Sequence, residues 1–292
     1  MSIPMLRSWM FVPGNKQRFL DKSEGLSLDV ALFDLEDGVL PAEKPRARAM
    51  VADLLERPWS GPRRYVRLNA QPPPWFEDDI AAVVKPGLEG VCMTKVNSAE
   101  ELRAGIGALS RRERAAGMAP GTVRVVAAIE SARGLLAAPQ IAAADPRVIA
   151  LIFGAEDYAL DIGLGAARVA EAAELLYPRS AVVVAAAAAG VLSIDGVFPD
   201  LDNEPGCITD IWQARRLGFT SKSTFNPRQV NLINTIFSPQ PDEIAYARTL
   251  AAAFDEASAR GDASVAVGGQ LVDRPIVLRA LRVLESIGER TA

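Results

Sequence analysis

Eight short apolar runs, each parted from the next by a stretch of helical composition, constrain this chain more than any other feature. The runs fall at residues 8–12, 30–35, 65–68, 90–94, 123–129, 148–153, 194–198 and 219–222. Most are rich in apolar and β-branched residues without polar alternation, as strands covered on both faces require. Residues 99–116, 135–144 and 178–190 are instead rich in Ala, Leu, Arg and Glu, and Pro86-Gly87, Pro120-Gly121 and Gly190 punctuate the alternation. Eight strand–helix units predict an α/β fold, a (β/α)8 TIM barrel, with a doubly wound open sheet as the alternative. After Pro239 the composition changes. A helix is expected over 241–260, a Gly/Ala/Val segment over 261–269, and a last helix near Asp273-Arg274-Pro275. The reading is a barrel over 1–239 and a C-terminal helical extension over 240–292, which fits a chain of 292 residues.

Composition then limits the chemistry. The chain has no histidine. That excludes every Ser-His-Asp or Cys-His arrangement, every His-ligated metal and every His acid or base. The two cysteines, Cys92 and Cys207, are too few for a four-thiolate metal site or a disulfide framework. Cys92 reads as a buried strand residue, and Cys207, following Pro205-Gly206, as a loop residue. A formal net charge of −4 argues against nucleic-acid binding. The longest apolar run, 181–192, falls short of the roughly 20 residues that span a bilayer, and the start of the chain lacks an export signal. The expectation is a cytoplasmic protein without nucleic-acid or membrane partners. If it is an enzyme, it works with carboxylates, Lys, Arg, Tyr and hard metal ions.

In such barrels the functional groups gather at the C-terminal ends of the strands. Val66-Arg67-Leu68-Asn69 puts Arg67 there, and Ala128-Ile129-Glu130 puts Glu130 there. Phe153-Gly154-Ala155 leads into Glu156-Asp157, and Phe33-Asp34-Leu35 into Glu36-Asp37. Glu130 and Asp157 on neighbouring strand ends suit Mg²⁺, which takes one or two protein carboxylates and completes its octahedron with water and substrate oxygens. The same two residues equally suit helix capping or pairing with Arg133 and Arg67. At the first strand–helix junction, Lys16, Arg18 and Lys22 suit either an anionic group or a solvated helix face. Gly105-Ile106-Gly107 and Gly163-Leu164-Gly165 lack the third glycine of a dinucleotide fingerprint.

Taken in order, these stretches resemble the citrate lyase β-subunit-like family of HpcH/HpaI aldolases, which includes malyl-CoA and citramalyl-CoA lyases. The resemblance runs through Arg7-Ser8-Trp9-Met10-Phe11-Val12-Pro13-Gly14, Phe33-Asp34-Leu35-Glu36-Asp37-Gly38-Val39 and Val66-Arg67-Leu68-Asn69. It continues through Ala128-Ile129-Glu130-Ser131, Gly154-Ala155-Glu156-Asp157-Tyr158, Asp195-Gly196-Val197-Phe198-Pro199-Asp200, Asn226-Pro227-Arg228-Gln229 and Leu271-Val272-Asp273-Arg274-Pro275. It implies a Mg²⁺-dependent carbon–carbon lyase that cleaves a 3-hydroxyacyl thioester, in a homo-oligomer, often a trimer. Carried across by motif, it makes Glu130 and Asp157 the metal ligands and Arg67 the substrate-contacting cation. Glu130 and the Gly154-Ala155 amides border the substrate, and Lys16, Arg18 and Lys22 become candidates for the phosphates of CoA. Asp273 becomes a catalytic acid contributed by another subunit, the extension serving as a lid with 261–269 as its hinge; read from the residues alone, Asp273 closely followed by Pro275 favours an N-terminal helix cap.

Two departures bear on the substrate. Many CoA lyases of the family carry His where this chain has Asn226, and Asn-Pro-Arg-Gln there resembles true citrate lyase β subunits, which act on a carrier-bound citryl group. Gly268-Gly269-Gln270 replaces the more usual Gly-Lys before Asp273. The alternatives to a stand-alone lyase are therefore a citrate lyase β subunit needing an acyl carrier protein, and a malyl-CoA-type thioesterase.

Overall fold

A computed structural model describes residues 5–71, 74–165 and 172–289. Eight parallel strands close a barrel in chain order: β1 (Ser8–Pro13), β2 (Val30–Asp34), β3 (Arg63–Arg67), β4 (Gly90–Met93), β5 (Arg124–Ile129), β6 (Val148–Phe153), β7 (Leu192–Asp195) and β8 (Ser221–Thr224). Closure comes from β8 pairing back onto β1, Ser8 to Lys222 and Met10 to Thr224. The intervening helices are α1 (Gln17–Ser23), α2 (Lys44–Glu56), α3 (Phe76–Val83), α4 (Ala99–Ala115), α5 (Ala132–Leu136), α6 (Ala138–Ala142), α7 (Ala155–Asp161), α8 (Leu176–Ala189), α9 (Glu204–Leu217) and α10 (Pro227–Phe237). The fold is the TIM barrel that the eight runs predict.

The boundaries follow local chemistry. Ser98 caps α4 by accepting from the Glu101 amide, with Glu100 and Glu101 in the first turn and Arg112 and Arg114 in the last. Left-handed Gly190 and Gly218 end α8 and α9. The Gly218 cap keeps Phe219 turned back to the Ala214 carbonyl, so β8 begins at Ser221 rather than at 219. β7 ends at Asp195 rather than 198, and the chain then leaves the ladder. The single helix expected over 135–144 is two short ones, broken at Ala137 just before Pro139, whose ring nitrogen has no hydrogen to donate. Cys207 lies inside α9, not in a loop.

Side-chain parity locates both core and site. Trp9, Val30, Leu32, Tyr65, Cys92, Val126, Ala128, Ala150, Ile152 and Ile194 form one buried cluster, two residues apart along each strand. This is the inward parity that fills a barrel of eight strands. Trp9 and Tyr65 meet edge to face, centroids 5.0 Å apart, and the Trp9 indole donates to the Leu6 carbonyl. The opposite parity, such as Ala31, Phe33, Val66 and Leu151, is also buried, which explains why the strands read as unbroken apolar runs.

The chain divides into two compact units, Met1–Thr235 and Ile236–Ala292. The second contains α11 (Pro241–Ala259) and α12 (Arg274–Ser286), with an antiparallel hairpin of β9 (Ser264–Val267) and β10 (Gln270–Asp273) between them. The 261–269 segment, expected as a flexible hinge, is thus largely one strand and the turn of a hairpin. Gly268 and Gly269, at φ +57° and +80°, supply the positive φ values a two-residue hairpin turn demands. Val272, Val277, Ala280 and Leu284 pack with Ala247, Leu250 and Ala251 as this unit's own core. Among the described residues, no helix is long and apolar enough to cross a membrane.

Candidate active site at the barrel mouth

Continuing the inward parity one step past the apolar cluster reaches Asp34 on β2, Arg67 on β3 and Glu130 just beyond β5. Arg67 forms a fork on Asp34, Nε to Oδ1 and Nη2 to Oδ2, both at 2.7 Å, while Nη1 lies 3.0 Å from Glu36 Oε2. Its guanidinium also stands over the Phe11 ring, 4.7 Å from the centroid. Burial works against the charge of Arg67, but Asp34 overrides it and raises the pKa. Arg67 is therefore a fixed cation, with its remaining donors bordering a cavity of about 100 Å³. Asp34 is pinned in turn by the amides of Glu36 and Gly38. A Cβ on Gly38 would sit 2.2 Å from Asp34 Oδ2, which is why the Glu-Asp-Gly turn can wrap that carboxylate.

Arg67, Glu130, Gly154, Ala155, Glu156 and Asp157 line this cavity together with Phe11, Val197 and Ser223. Glu130 is buried, and that burial, reinforced by the nearby Glu36 carboxylate, pushes its pKa up to about 7 despite a hydrogen bond from the Lys95 amide. Asp157 opens outward in the first turn of α7, its Oδ1 3.7 Å from Lys95 Nζ. Lys95 Nζ also lies 2.9 Å from Glu36 and 3.4 Å from Asp37. Burial lowers the ammonium's pKa, but the hydrogen bond to Glu36 outweighs it and the net shift is upward.

The sequence points to Arg67, Glu130 and Asp157 and gives no role to Lys95, Asp34 or Glu36. The carboxylates were visible as a Asp-Leu-Glu-Asp run after a strand. Lys95 carried no signal beyond its place two residues past β4.

Other expectations change or stay local. The Gly154 amide is spent on the Ile129 carbonyl in the barrel ladder, so it is not free to hold a substrate carboxylate; Ala155, first in α7, lines the cavity beside it. Gly154 serves by lacking a side chain, since a Cβ there would lie 2.4 Å from Glu130 Cγ. Lys16, Arg18 and Lys22 are all exposed, Arg18 and Lys22 four apart on α1 and Lys16 just before it. Asp273 caps α12 by accepting from the Ile276 amide. Asn226 likewise accepts from the Arg228 amide at the start of α10. Cys92 and Cys207 are buried, and burial raises both thiols, Cys207 to about 11, so neither is a ready nucleophile.

The donor chemistry fits a divalent cation. Asp34, Glu36, Asp37, Glu130 and Asp157 crowd the mouth, answered there by Arg67 and Lys95, with Lys44 behind on the Leu35 and Glu36 carbonyls. Negative charge remains in excess there, and Glu130 is raised chiefly by burial, with the Glu36 and Asp157 carboxylates adding to it. Among the described residues no cluster of three or more acidic or sulfur ligands converges on one point, so the pair would hold an ion whose other positions go to water or substrate, the habit of Mg²⁺.

A TIM barrel with a carboxylate- and arginine-lined mouth defines the class, and the comparisons give the family. The profile of the HpcH/HpaI aldolase/citrate lyase family matches residues 7–227, and the chain belongs to that family. It is 37% identical over 280 residues to citrate lyase subunit beta of Leuconostoc mesenteroides, covering 96% of this chain and 92% of that one. It is 34% identical over 281 residues to the (3S)-malyl-CoA thioesterase of Cereibacter sphaeroides, covering 95% and 93%. Among solved structures it resembles CitE of Mycobacterium tuberculosis in complex with magnesium, acetoacetate and coenzyme A, with a TM-score of 0.80, 30% identity, and 97% and 98% of the two chains covered.

Proposed function

We propose that the protein is a Mg²⁺-dependent lyase that cleaves a 3-hydroxyacyl thioester of the malyl-, citramalyl- or citryl-CoA type into an acyl thioester and a 2-oxo acid or glyoxylate. The observation that carries this reading is the meeting of Glu130, Asp157 and the fixed Arg67 around one small cavity. Glu130 and Asp157 would hold the ion, which when bound polarises the substrate hydroxyl and the adjacent carboxylate. Cleavage passes the hydroxyl proton to water, forms the carbonyl of the oxo product as the carbon–carbon bond breaks, and moves that bond's electron pair into the thioester carbonyl as an enolate. Arg67, held by Asp34 and Glu36, sets a fixed positive charge against that developing oxyanion at no reorganisation cost. Ala155 lines the same space. An acid then protonates the enolate carbon, and Asp273 from a second subunit is the candidate. Lys16, Arg18 and Lys22 are the candidates for the CoA phosphates, and a homo-oligomer such as a trimer is the assembly that sharing of Asp273 requires.

A second reading has its own support. Asn226-Pro227-Arg228-Gln229, together with the 37% identity to a citrate lyase subunit beta, favours action on a citryl group carried by an acyl carrier protein. The test is to incubate the purified protein with Mg²⁺ and malyl-, methylmalyl-, citramalyl- or citryl-CoA. Acyl-CoA plus an oxo acid marks the stand-alone lyase, and free CoA with an intact hydroxy acid marks a thioesterase. Turnover only when a citryl group is presented on its carrier marks the β subunit.

A further inference from the structure

Among the described residues, Lys95 is one of two non-glycine residues in the left-handed region, at φ +54°. That conformation is costly for a residue with a side chain, and persists only where the surroundings over-determine it. The surroundings here are specific. The Lys95 amide donates to Glu130 Oε2 at 2.7 Å, and its carbonyl accepts from Asn97 Nδ2 at 2.9 Å, which locks the turn. Asn97 is itself held through Oδ1 by Ser131. With the backbone turned this way, one residue reaches Glu130 through its amide and Glu36, Asp37 and Asp157 through its ammonium.

The contacts are graded. Glu36 lies at 2.9 Å, a close ion pair, whereas Asp157 lies at 3.7 Å, beyond hydrogen-bonding distance. The two cations of the mouth also differ in freedom. Arg67 is 15% exposed and forked on Asp34; Lys95 is 39% exposed on a flexible stem. Lys95, on its flexible stem, can withdraw from Asp157 without disturbing the buried Arg67–Asp34 pair.

We propose that Lys95 is a resident counter-cation of the candidate metal site, its ammonium holding Glu36 and Asp157 together until a divalent cation takes Asp157 from it. This rests on Glu130 and Asp157 as the metal ligands. It makes Lys95 a positioning residue that lowers metal affinity to a reversible level while keeping the carboxylates gathered when no ion is present.

The test uses Mn²⁺ binding to the full chain, followed by the paramagnetic resonance of the free ion, with thermal melting alongside. Lys95→Met keeps the stem and the amide and removes the charge. It is expected to bind Mn²⁺ about tenfold more tightly than wild type, as loss of one like charge a few ångströms away predicts. Its ion-free melting temperature should fall, and saturating Mn²⁺ should raise that temperature more than in wild type. Lys95→Arg should restore wild-type affinity, and Lys95→Gln provides the same comparison should the methionine variant not fold. Folded Lys95→Met or Lys95→Gln binding Mn²⁺ no more tightly than wild type overturns the counter-cation alone. If Glu130→Ala with Asp157→Asn binds Mn²⁺ as wild type does, the metal-site reading falls, and the role of Lys95 with it.

Discussion

Buried beside other carboxylates, Glu130 is a poor residue for stability, whereas the proposed metal site calls for its charge. Its pKa in the folded protein, raised from 4.5 to about 7, means that between those values the folded state holds more protons than the unfolded one. Stability therefore falls as pH rises through that window, and the cost, about 3 kcal/mol, is complete above it. Without metal, Glu130→Gln is expected to melt above wild type at pH 8 and to approach it at pH 4, while losing Mn²⁺ binding. Equal melting temperatures at pH 8 would show that the carboxylate is not held at that cost. Arg67 makes the complementary case: its charge is kept by Asp34 and Glu36, so any variant there disturbs a buried pair as well as the proposed oxyanion contact.

Between elements, two devices shape the cavity wall. The β6–α7 turn passes so close to Glu130 that Gly154→Ala must push that carboxylate aside. Weakened Mn²⁺ binding with a nearly unchanged melting temperature is the expected result, and unaltered binding would mean that the turn yields instead. On the far side, β7, β8, α8 and α9 bury a charged network: Arg179 forks on Asp195, and Lys222 lies 2.7 Å from Asp195 and 2.6 Å from Asp210. The Asp210 contacts are ion pairs without hydrogen-bonding geometry. Lys222 also donates to the Gly196 carbonyl, holding the turn that carries Val197 into the cavity. Lys222→Met should cost about 3–5 kcal/mol in urea unfolding, because it leaves Arg179 alone to answer two buried carboxylates. Burial alone would raise the Asp195 pKa, but Lys222 and Arg179 lower it. Its stabilising contribution is therefore fully present above the ordinary aspartate value of about 4 and is lost as pH falls below it.

At the scale of the whole molecule, the question is whether Asp273 acts in a neighbouring copy. Its carboxylate caps α12, and Asn caps as well as Asp does, so Asp273→Asn removes the acid without weakening the helix start. Mixing Asp273→Asn subunits with Glu130→Ala subunits should restore activity that neither parent has, because mixed oligomers contain some intact composite sites. Verified mixed oligomers with no recovery would count against sharing, and a fully active Asp273→Asn protein would remove the residue from the reaction.

The eight strands and their helices were legible because a strand buried on both faces leaves an uninterrupted apolar run, and because Gly190 and Gly218 stop their helices by local backbone chemistry alone. The placement of Arg67, Glu130 and Asp157 at the mouth was legible for a related reason: polar residues at the ends of such runs stand out, and a barrel sends strand ends to one mouth. The break at Ala137 was written in Pro139. The hairpin at 264–273 was harder to see, since its glycine pair sits between strands of only four residues each. What only the tertiary structure decided is which polar groups meet. Asp34 and Arg67 are 33 positions apart, and Lys95 and Glu130 are 35. Their pairing depends on the register of adjacent strands and on one left-handed residue. Neither leaves a periodic trace in the sequence, because both are set by closure of the barrel rather than by the propensity of any segment.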